Sequence, residues 1–186
     1  MLEVEIKYAQ ADSGAVKSSL MRWRARPEPL RREIDRYFNA PDRDFRRTDE
    51  ALRIRQCGSR NTLTYKGPKI DPLSKTRREI EVPLADGRRA AQSAAKLLTA
   101  LGYRAVGTVV KRRRVYRLRR EGFGVEISLD DVAGLGRFVE LEIRAEERRM
   151  RKARNALLRA SGELGLRRPE RRSYLELLLL RKSGGS

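Results

Sequence analysis

Charged and apolar residues alternate along several short stretches of this chain, and this pattern constrains the fold more than any other feature. The opening stretch, MLEVEIKY (1–8), places an apolar residue at every second position and a charged residue at three of the positions between. Because successive side chains of a β-strand point to opposite faces, the stretch predicts a strand with one apolar and one charged face. The same alternation occurs in six further stretches: ALRIR (51–55), NTLTYK (61–66), TRREIEV (76–82), VGTVVKRRRVYRLRR (106–120), GVEISLD (124–130) and GRFVELEIRA (136–145). DRYF (35–38) is predicted as a further short strand.

Residues of the same charge stand two positions apart on these charged faces. The pairs are Glu3/Glu5, Arg53/Arg55, Glu79/Glu81 and Glu140/Glu142. Like charges placed in this way repel each other unless an opposite charge, a metal or a phosphate lies between them. The pattern therefore predicts an α+β fold in which a closed antiparallel β-barrel of about eight strands encloses a charged tunnel, with helices packed outside. The alternative is a set of solvated sheet faces, which show the same alternation.

Other segments carry helical periodicity. They are ADSGAVKSSLMRWR (11–24), DGRRAAQSAAKLLTALG (86–102), a basic stretch from about Glu146 to Glu163, and RRSYLELLLL (171–180), for which a strand is the alternative. Asp12 or Ser13 can cap the first helix, and Gly102 is expected to end the second. No linker rich in Pro, Gly or Ser interrupts the chain before KSGGS, so we expect one domain over 1–182 and a flexible tail over 183–186.

The composition excludes several kinds of site. The chain has 186 residues, no histidine and one cysteine, Cys57, so it can form neither an internal disulfide nor a Cys/His zinc site. A catalyst here would use carboxylates, lysine, tyrosine or a metal-bound water. The net charge of +19 favours polyanionic partners. Since no apolar stretch approaches the ~20 residues that span a bilayer, we expect a cytoplasmic protein with no membrane contact.

The two kinds of charged pair are complementary in the ligands they can bind. Hard cations such as Mg²⁺ and Mn²⁺ choose carboxylate oxygens, which the acidic pairs offer. Arginine binds phosphate through two parallel hydrogen bonds, which the basic pairs offer. A divalent metal together with several phosphates is a ligand that satisfies both sets.

The chain resembles the CYTH domain family, the triphosphate tunnel metalloenzymes that include class IV adenylyl cyclases and thiamine triphosphatases. Glu3-Val4-Glu5-Ile6-Lys7 matches the ExExK signature of that family, which taken alone occurs by chance in many strands. The match continues in order over nearly the whole chain, through DRYF (35–38), ALRIR (51–55), LTYKGP (63–68), REIEV (78–82), KRR (111–113), SLDDVAGLGRFVELEI (128–143) and SYLELLL (173–179). The resemblance implies that the charged face of the first strand lines a tunnel.

Roles for individual residues follow from this resemblance. The implied metal ligands, for Mg²⁺ or Mn²⁺, are Glu3, Glu5, Asp130, Glu140 and Glu142, assisted by Glu79 and Glu81. The implied triphosphate-binding residues are Lys7, Arg53, Arg55, Lys66, Lys111 and Arg113, with Arg172 closing one mouth of the tunnel. The implied catalytic residues are Glu5, Lys66 and Tyr37, the last two as a pair that helps water attack in hydrolytic members. A core aromatic beside Phe38 is the alternative for Tyr37.

The reaction is left open by these motifs. The resemblance is closest to the bacterial class IV adenylyl cyclase-like branch, which implies conversion of ATP to cyclic AMP and pyrophosphate by a monomer or homodimer. Hydrolysis of tripolyphosphate, thiamine triphosphate or a nucleoside triphosphate is the alternative. A non-catalytic module that binds RNA or another polyanion is a second alternative, suggested by the basic runs 148–154 and 167–172. We expect those runs to be solvated surface that contacts nucleic acid only non-specifically.

Overall fold

One curled antiparallel sheet organises the chain. The computed structural model describes residues 1–9 and 14–183, so the predicted caps Asp12 and Ser13 and the end of the predicted tail lie outside the described residues. Its elements in chain order are β1 (Leu2–Ala9), α1 (Gly14–Arg22), β2 (Arg26–Pro27), β3 (Arg31–Asn39), α2 (Phe45–Thr48), β4 (Ala51–Cys57), β5 (Arg60–Lys66), β6 (Glu79–Leu84), α3 (Arg88–Ala100), β7 (Arg104–Arg120), β8 (Phe123–Val132), β9 (Gly136–Ala145), a 3₁₀ turn (Glu147–Arg149), α4 (Met150–Glu163) and α5 (Tyr174–Ser183).

The strands follow the order β1-β9-β8-β7-β3-β4-β5-β6, and the short β2 pairs with β7 outside this path. Each alternating stretch forms a strand, as predicted. The starting points shift most for DRYF (35–38), because β3 begins already at Arg31, and for TRREIEV (76–82), because β6 begins only at Glu79. The long strand β7 lies centrally and pairs with β2, β3 and β8. All the ladders are antiparallel, so each strand contributes alternate side chains to the concave face.

The prediction of a closed barrel is wrong, and the sheet forms a half-barrel. The edge strands β1 and β6 share no ladder. The backbone of β1 instead contacts the segment before β6, where Glu3 and Arg77 exchange hydrogen bonds of 3.2 and 3.3 Å and the Lys75 amide donates to the Glu5 carbonyl at 2.8 Å. Pro83 within β6 lacks an amide hydrogen, which suits an edge strand rather than a strand paired on both sides.

The convex side of the sheet carries the apolar cores. Val4 of β1 and Leu141 of β9 are fully buried against Leu20 of α1 and Leu157 of α4. A second cluster packs β3 and β4 against α3. The apolar residues in these two clusters therefore face the helices, and most charged residues of the same strands lie on the concave side. Each fully buried leucine stabilises the fold by roughly 1.5–3 kcal/mol.

The last segment, RRSYLELLLL, forms a helix rather than a strand. Ser173 and Glu176 make a capping box at the start of α5: the Glu176 amide donates to Ser173 Oγ at 3.1 Å, and the Ser173 amide donates to a Glu176 carboxylate oxygen at 2.5 Å. Tyr174, at the beginning of this helix, is buried on the concave side against Tyr37, Val109 and Phe138. The helix thereby covers one end of the concave face.

Candidate active site

The concave face encloses a charged cavity of about 330 Å³, which we call the lumen. Charged side chains reach it from both edges and from the middle of the sheet. Among the residues that were expected from sequence, those lining the lumen are Glu3, Glu5, Tyr37, Arg53, Arg55, Lys66, Glu81, Lys111, Arg113, Glu140 and Glu142. The alternation on the strands therefore brings most of the predicted site residues together, and the solvated-face alternative does not hold for them.

Arg113 of β7 binds two of the predicted metal ligands. Its guanidinium contacts Asp130 with two hydrogen bonds, of 2.7 and 2.5 Å, and also contacts Glu140. All three side chains are largely buried. Burial alone would raise the pKa of Glu140, but Arg113 and Lys111 hold it well below its usual range. Glu140 is therefore held in its ionised form, and Arg113 already occupies both carboxylates in this state.

Lys66 of β5 lies between Glu3 and Glu79. Its ammonium is 3.2 Å from a Glu3 oxygen and directly contacts Glu79. Burial opposes ionisation of both carboxyls, yet Lys66 lowers the pKa of Glu3 to about 2, while burial and the charge of Glu3 raise the pKa of Glu79 to about 7. Lys66 is thus shared by both carboxyls, and the pKa of Glu79 is raised while that of Glu3 is lowered.

Asp35 and Glu33 of β3 balance the central cations and were not predicted as site residues. Arg55 grips Asp35 with hydrogen bonds of 2.6 and 2.7 Å. The Lys111 ammonium lies 3.3 Å from Glu33 and 3.7 Å from Asp35. Burial opposes ionisation of Glu33, but Arg55 and Lys111 lower its pKa to about 2.

The Lys7 ammonium lies at the end of the lumen that α5 covers. It donates to the Arg172 carbonyl at 2.5 Å and stands 4.0 Å from the centre of the Tyr174 ring. Burial, with the nearby charge of Lys75, lowers the pKa of Lys7 to about 7. The Arg172 side chain lies elsewhere: it is exposed and paired with Glu170. Tyr174, whose hydroxyl donates to Asp130 at 2.8 Å, occupies the place that was expected for Arg172.

Arg53 and Arg77 are the buried lumen cations with the weakest partners. Arg53 is only 3.5 Å from Asp35 at its closest, and its Nε atom is buried with no hydrogen-bond partner in the described structure. Arg77 reaches Asp49 at 3.8 Å. Tyr37 lies opposite Arg53 across the β3–β4 ladder. Arg53 is also hydrogen-bonded to the Tyr37 side chain. Among the described residues, neither arginine has a carboxylate closer than 3.5 Å, so these two are the guanidinium groups most ready to receive an oxyanion.

Three carboxylates form a row across adjacent strands. Glu5 lies opposite Glu142, and Glu142 lies opposite Glu126 of β8. Burial, with the charges of Glu3 and Glu126, raises the pKa of Glu142 to about 8. Carboxylate oxygens suit Mg²⁺ and Mn²⁺, so the donor set of this row fits a divalent cation. In the described residues no three acidic side chains already converge as a metal site, so a cation would have to draw these side chains together.

Cations from the loop before β6 and from the ends of strands complete the lumen. The Lys75 ammonium contacts Glu5 at 2.5 Å, Arg117 contacts Glu126 at 2.9 Å, and Arg144 lies 3.3 Å from Glu142. Glu81 stands at the rim, half-exposed and 3.7 Å from Arg144. Lys75 could not be found from sequence, because its loop has no periodicity. Glu33 and Asp35 could have been, since they show the same two-residue spacing of like charges as the predicted pairs.

The basic runs outside the lumen behave largely as predicted. Arg148 is exposed, whereas Arg154 is mostly buried and bound to Asp71 at 2.7 Å. Arg171 donates to backbone carbonyls of Asp71 and Pro72.

None of the helices in the described part of the chain has the length and apolar character needed to cross a bilayer.

Comparison with known proteins agrees with this geometry. The model of the CYTH domain matches residues 1–174. A protein of Methanocaldococcus jannaschii that carries the provisional name adenylate cyclase is 44% identical over 142 residues, which cover 76% of this chain and 77% of that protein. The adenylate cyclase CyaB of Aeromonas hydrophila is 31% identical over 150 residues, covering 78% of this chain and 70% of that protein.

Solved structures share the fold. The PH1819 protein of Pyrococcus horikoshii superposes with a TM-score of 0.83 and 40% identity, covering 96% of this chain and 99% of that one. A Hippeastrum protein, described as provisionally an adenylyl cyclase with a dominant triphosphatase activity, superposes with a TM-score of 0.63 and 16% identity, covering 98% and 95%. The second likeness concerns the fold alone.

Proposed function

This chain belongs to the CYTH domain family, and on that basis we propose that it is a divalent-metal-dependent enzyme that converts ATP to 3′,5′-cyclic AMP and pyrophosphate. The family comprises enzymes of the adenylate cyclase and triphosphatase type. One observation carries the proposal: carboxylates and cations from both edges and the middle of the sheet meet in a single cavity. A triphosphate with its metal is the ligand that matches both sets of charges.

The ion pairs of the lumen support a change of partners when substrate binds. Arg53 is proposed to bind phosphate first, since its nearest carboxylate, Asp35, is 3.5 Å away and its Nε atom has no hydrogen-bond partner in the described structure. The remaining cations, which now hold carboxylates, would turn to the phosphate oxygens, and the carboxylates they release would face the metal. The residues proposed to bind phosphate in this way are Lys7, Arg55, Lys66, Lys111 and Arg113; Arg172 contributes its carbonyl to Lys7 rather than its side chain.

The metal would be held by lumen carboxylates. Those proposed are Glu3, Glu5, Glu140 and Glu142, with Glu79, Glu81 and Asp130 near them. When bound, Mg²⁺ or Mn²⁺ would neutralise charge on the phosphates and help to align the reacting groups. The contacts of Glu5 and Glu142 across one ladder support this assignment, since two facing carboxylates are stabilised by a cation between them.

In the cyclisation, the ribose 3′-oxygen forms a bond to the α-phosphorus, the bond from that phosphorus to the bridging oxygen breaks, and pyrophosphate leaves. The proton of the 3′-hydroxyl passes to a lumen carboxylate, for which we propose Glu5. Lys66, buried on β5 next to the edge strand β6, would stabilise the negative charge on the phosphates.

Hydrolysis is the second candidate, and the position of Tyr37 favours it. Tyr37 and Lys66 both line the lumen, at the positions where hydrolytic relatives place a tyrosine–lysine pair that helps water attack. In this reaction the water oxygen forms a bond to the terminal phosphorus, the bond from that phosphorus to the bridging oxygen breaks, and ADP leaves from ATP, or pyrophosphate from tripolyphosphate, so that orthophosphate is the second product. The activity described for the Hippeastrum protein belongs to that protein, which shares the fold at 16% identity.

Product analysis separates the two reactions. The protein is incubated with ATP and, in parallel, with inorganic tripolyphosphate, each with Mg²⁺ or Mn²⁺. Cyclic AMP with an equal amount of pyrophosphate supports the cyclase. ADP and orthophosphate from ATP, or faster turnover of tripolyphosphate without a cyclic product, supports the triphosphatase. ATP is a cytoplasmic metabolite, so we propose a cytoplasmic location for the enzyme.

A further inference from the structure

Residues 67–78 connect β5 to β6 and contact β1, and we call this segment the strap. Its backbone folds on itself, since the Ile70 amide donates to the Thr76 carbonyl at 2.9 Å. Residues 74–77 are all polar or charged, yet each is at most 9% exposed. Connecting segments usually run over the surface. Four consecutive buried polar residues therefore indicate that the strap is held in one position.

The strap supplies two cations to the lumen. Lys75 and Arg77 both line it, and the Lys75 ammonium contacts Glu5 at 2.5 Å. In the described part of the chain, the other lysines and arginines that line the lumen lie on strands. A ladder fixes the position of a strand residue. The position of Lys75 and Arg77 depends instead on the contacts that hold the strap.

One of these contacts comes from outside the lumen. Arg154 of α4 donates to one carboxylate oxygen of Asp71 at 2.7 Å, and the Ser74 hydroxyl donates to the other. The Ser74 hydroxyl also shares a hydrogen bond of 2.6 Å with the Thr76 hydroxyl. Asp71 thus connects a helix on the convex side to the two residues that flank Lys75. Neither Asp71 nor Arg154 is among the described residues that line the lumen.

Burial makes the strap depend on this ion pair. The side chain of Asp71 is 2% exposed and that of Arg154 is 16% exposed. Removing one partner of a buried pair leaves an uncompensated charge, which is strongly destabilising. Without Arg154, the Asp71 carboxylate would gain free energy by moving to water, and it would draw the strap away from the lumen. Arg171 adds a weaker anchor, since it donates to the backbone carbonyls of Asp71, at 3.2 Å, and Pro72.

We propose that Arg154 and Asp71 are positioning residues of the enzyme: their ion pair, outside the lumen, fixes the strap so that Lys75 and Arg77 can bind the phosphates. This inference rests on the proposed function, since it requires the phosphates to lie in the lumen. It adds that the affinity of the site is set in part by a helix that does not touch the substrate.

The first arm of the test measures the position of the strap without any ligand. The amides of Lys75 and Arg77 donate to carbonyls of β1 at 2.8 and 3.3 Å, so their hydrogen exchange reports whether the strap is docked. In Arg154→Gln, strap peptides should exchange at least about tenfold faster, while β8 exchanges as in the wild type. Arg154→Lys keeps the charge and should restore most of the protection. Arg159→Gln, on the same helix but in an exposed pair with Glu121, is the matched control and should change nothing.

The second arm measures the dissociation constant of tripolyphosphate with Mg²⁺ by calorimetry, with and without Lys75→Gln. Arg154→Gln should raise this constant about tenfold in the wild-type background. In the Lys75→Gln background it should raise it at most about threefold, because only Arg77 is then left to misplace. A purely structural role of Arg154 would give the same factor in both backgrounds. Asp71→Asn, which keeps the shape of the side chain, replaces Arg154→Gln with the same expectations if that variant does not fold.

Equal factors in the two backgrounds, or unchanged exchange of the strap in Arg154→Gln, would overturn the inference while the proposed function stands. A wild type that does not bind tripolyphosphate with Mg²⁺ would overturn the proposed function, and the inference with it. Faster exchange of the strap together with unequal factors would establish Arg154 as a positioning residue.

Discussion

Glu5 and Glu142 face each other across the β1–β9 ladder on the wall of the lumen. Glu126 continues the row on β8, and Lys75 and Arg117 bind the two outer carboxylates. Among the residues that the structure describes, the cation paired with Glu142 in the middle is Arg144, which lies 3.3 Å away and whose side chain is largely exposed. Repulsion between these carboxylates therefore lowers the free energy of unfolding of the metal-free protein, and a bound cation would remove that repulsion.

Replacing Glu142 with glutamine should stabilise the metal-free protein. Because the change removes a buried, poorly compensated carboxylate, the free energy of unfolding should rise by about 1 kcal/mol, or about 2–4 °C in Tm for a chain of this size. Mg²⁺ with tripolyphosphate should raise the Tm of the wild type by linkage and that of Glu142→Gln by much less. Thermal unfolding followed by circular dichroism measures both effects.

Glu147→Gln provides the control, since the Glu147 side chain is 75% exposed and lies far from the lumen in the chain's 3₁₀ turn. Its Tm should match the wild type with and without ligand. A metal-free Glu142→Gln protein that melts below the wild type would show that Glu142 is already stabilised by its neighbours.

Glu33 should make the free energy of unfolding depend on pH in the acid range. Its pKa lies at about 2 rather than the ordinary 4.5, because Arg55 and Lys111 outweigh the effect of burial. The folded state thus favours the ionised form, so this contribution is complete above about pH 4.5 and is lost as the pH falls through 2. At neutral pH it amounts to at most about 3 kcal/mol.

Urea unfolding at a series of pH values tests this prediction. Glu33→Gln should be less stable than the wild type at pH 7, and the difference should shrink steadily between pH 5 and pH 2. A difference that is independent of pH would attribute the loss to packing instead of charge.

The hydrogen bond of the Tyr174 hydroxyl should stabilise the end of the lumen that α5 covers. Tyr174→Phe removes the hydrogen bond to Asp130 but keeps the ring beside Lys7, so the free energy of unfolding should fall by about 1–2 kcal/mol. Tyr103→Phe, on the convex side beside α3, is the matched change and should be nearly neutral. Equal losses in the two variants would argue against a role for the Asp130 contact.

The strands were predictable because alternation is a direct geometric consequence of pleating. Whether the sheet closes into a barrel was not predictable, because this depends on residues 67–78. That loop contains Gly67, Pro68 and Pro72 but has no periodic pattern. The helix at the C-terminal end could have been predicted in place of a strand. Ser173 and Glu176 have the spacing of a capping box, which is a local sequence signal for the start of a helix.

The site was predictable to the extent that it lies on strands. Glu3, Arg53 and Glu140 reach the lumen because their positions in the alternation place them there. Lys75 comes from a loop, and only tertiary contact brings its ammonium to Glu5. Arg172 illustrates the converse: it lies beside the correct segment, but the backbone turns its side chain outward and Tyr174 inward.

Calorimetric titration of tripolyphosphate with Mg²⁺ into Arg53→Gln and Arg151→Gln tests the central claim, that the lumen binds the triphosphate. Arg53 is buried in the lumen, 3.5 Å from its nearest carboxylate and with an unpartnered Nε atom in the described structure, whereas Arg151 is exposed on α4. Loss of charge-assisted hydrogen bonds should raise the dissociation constant of Arg53→Gln about 10- to 100-fold, and Arg151→Gln should stay within about twofold of the wild type. A wild-type affinity in Arg53→Gln, or an equal loss in Arg151→Gln, would place the binding on the basic surface and contradict the claim.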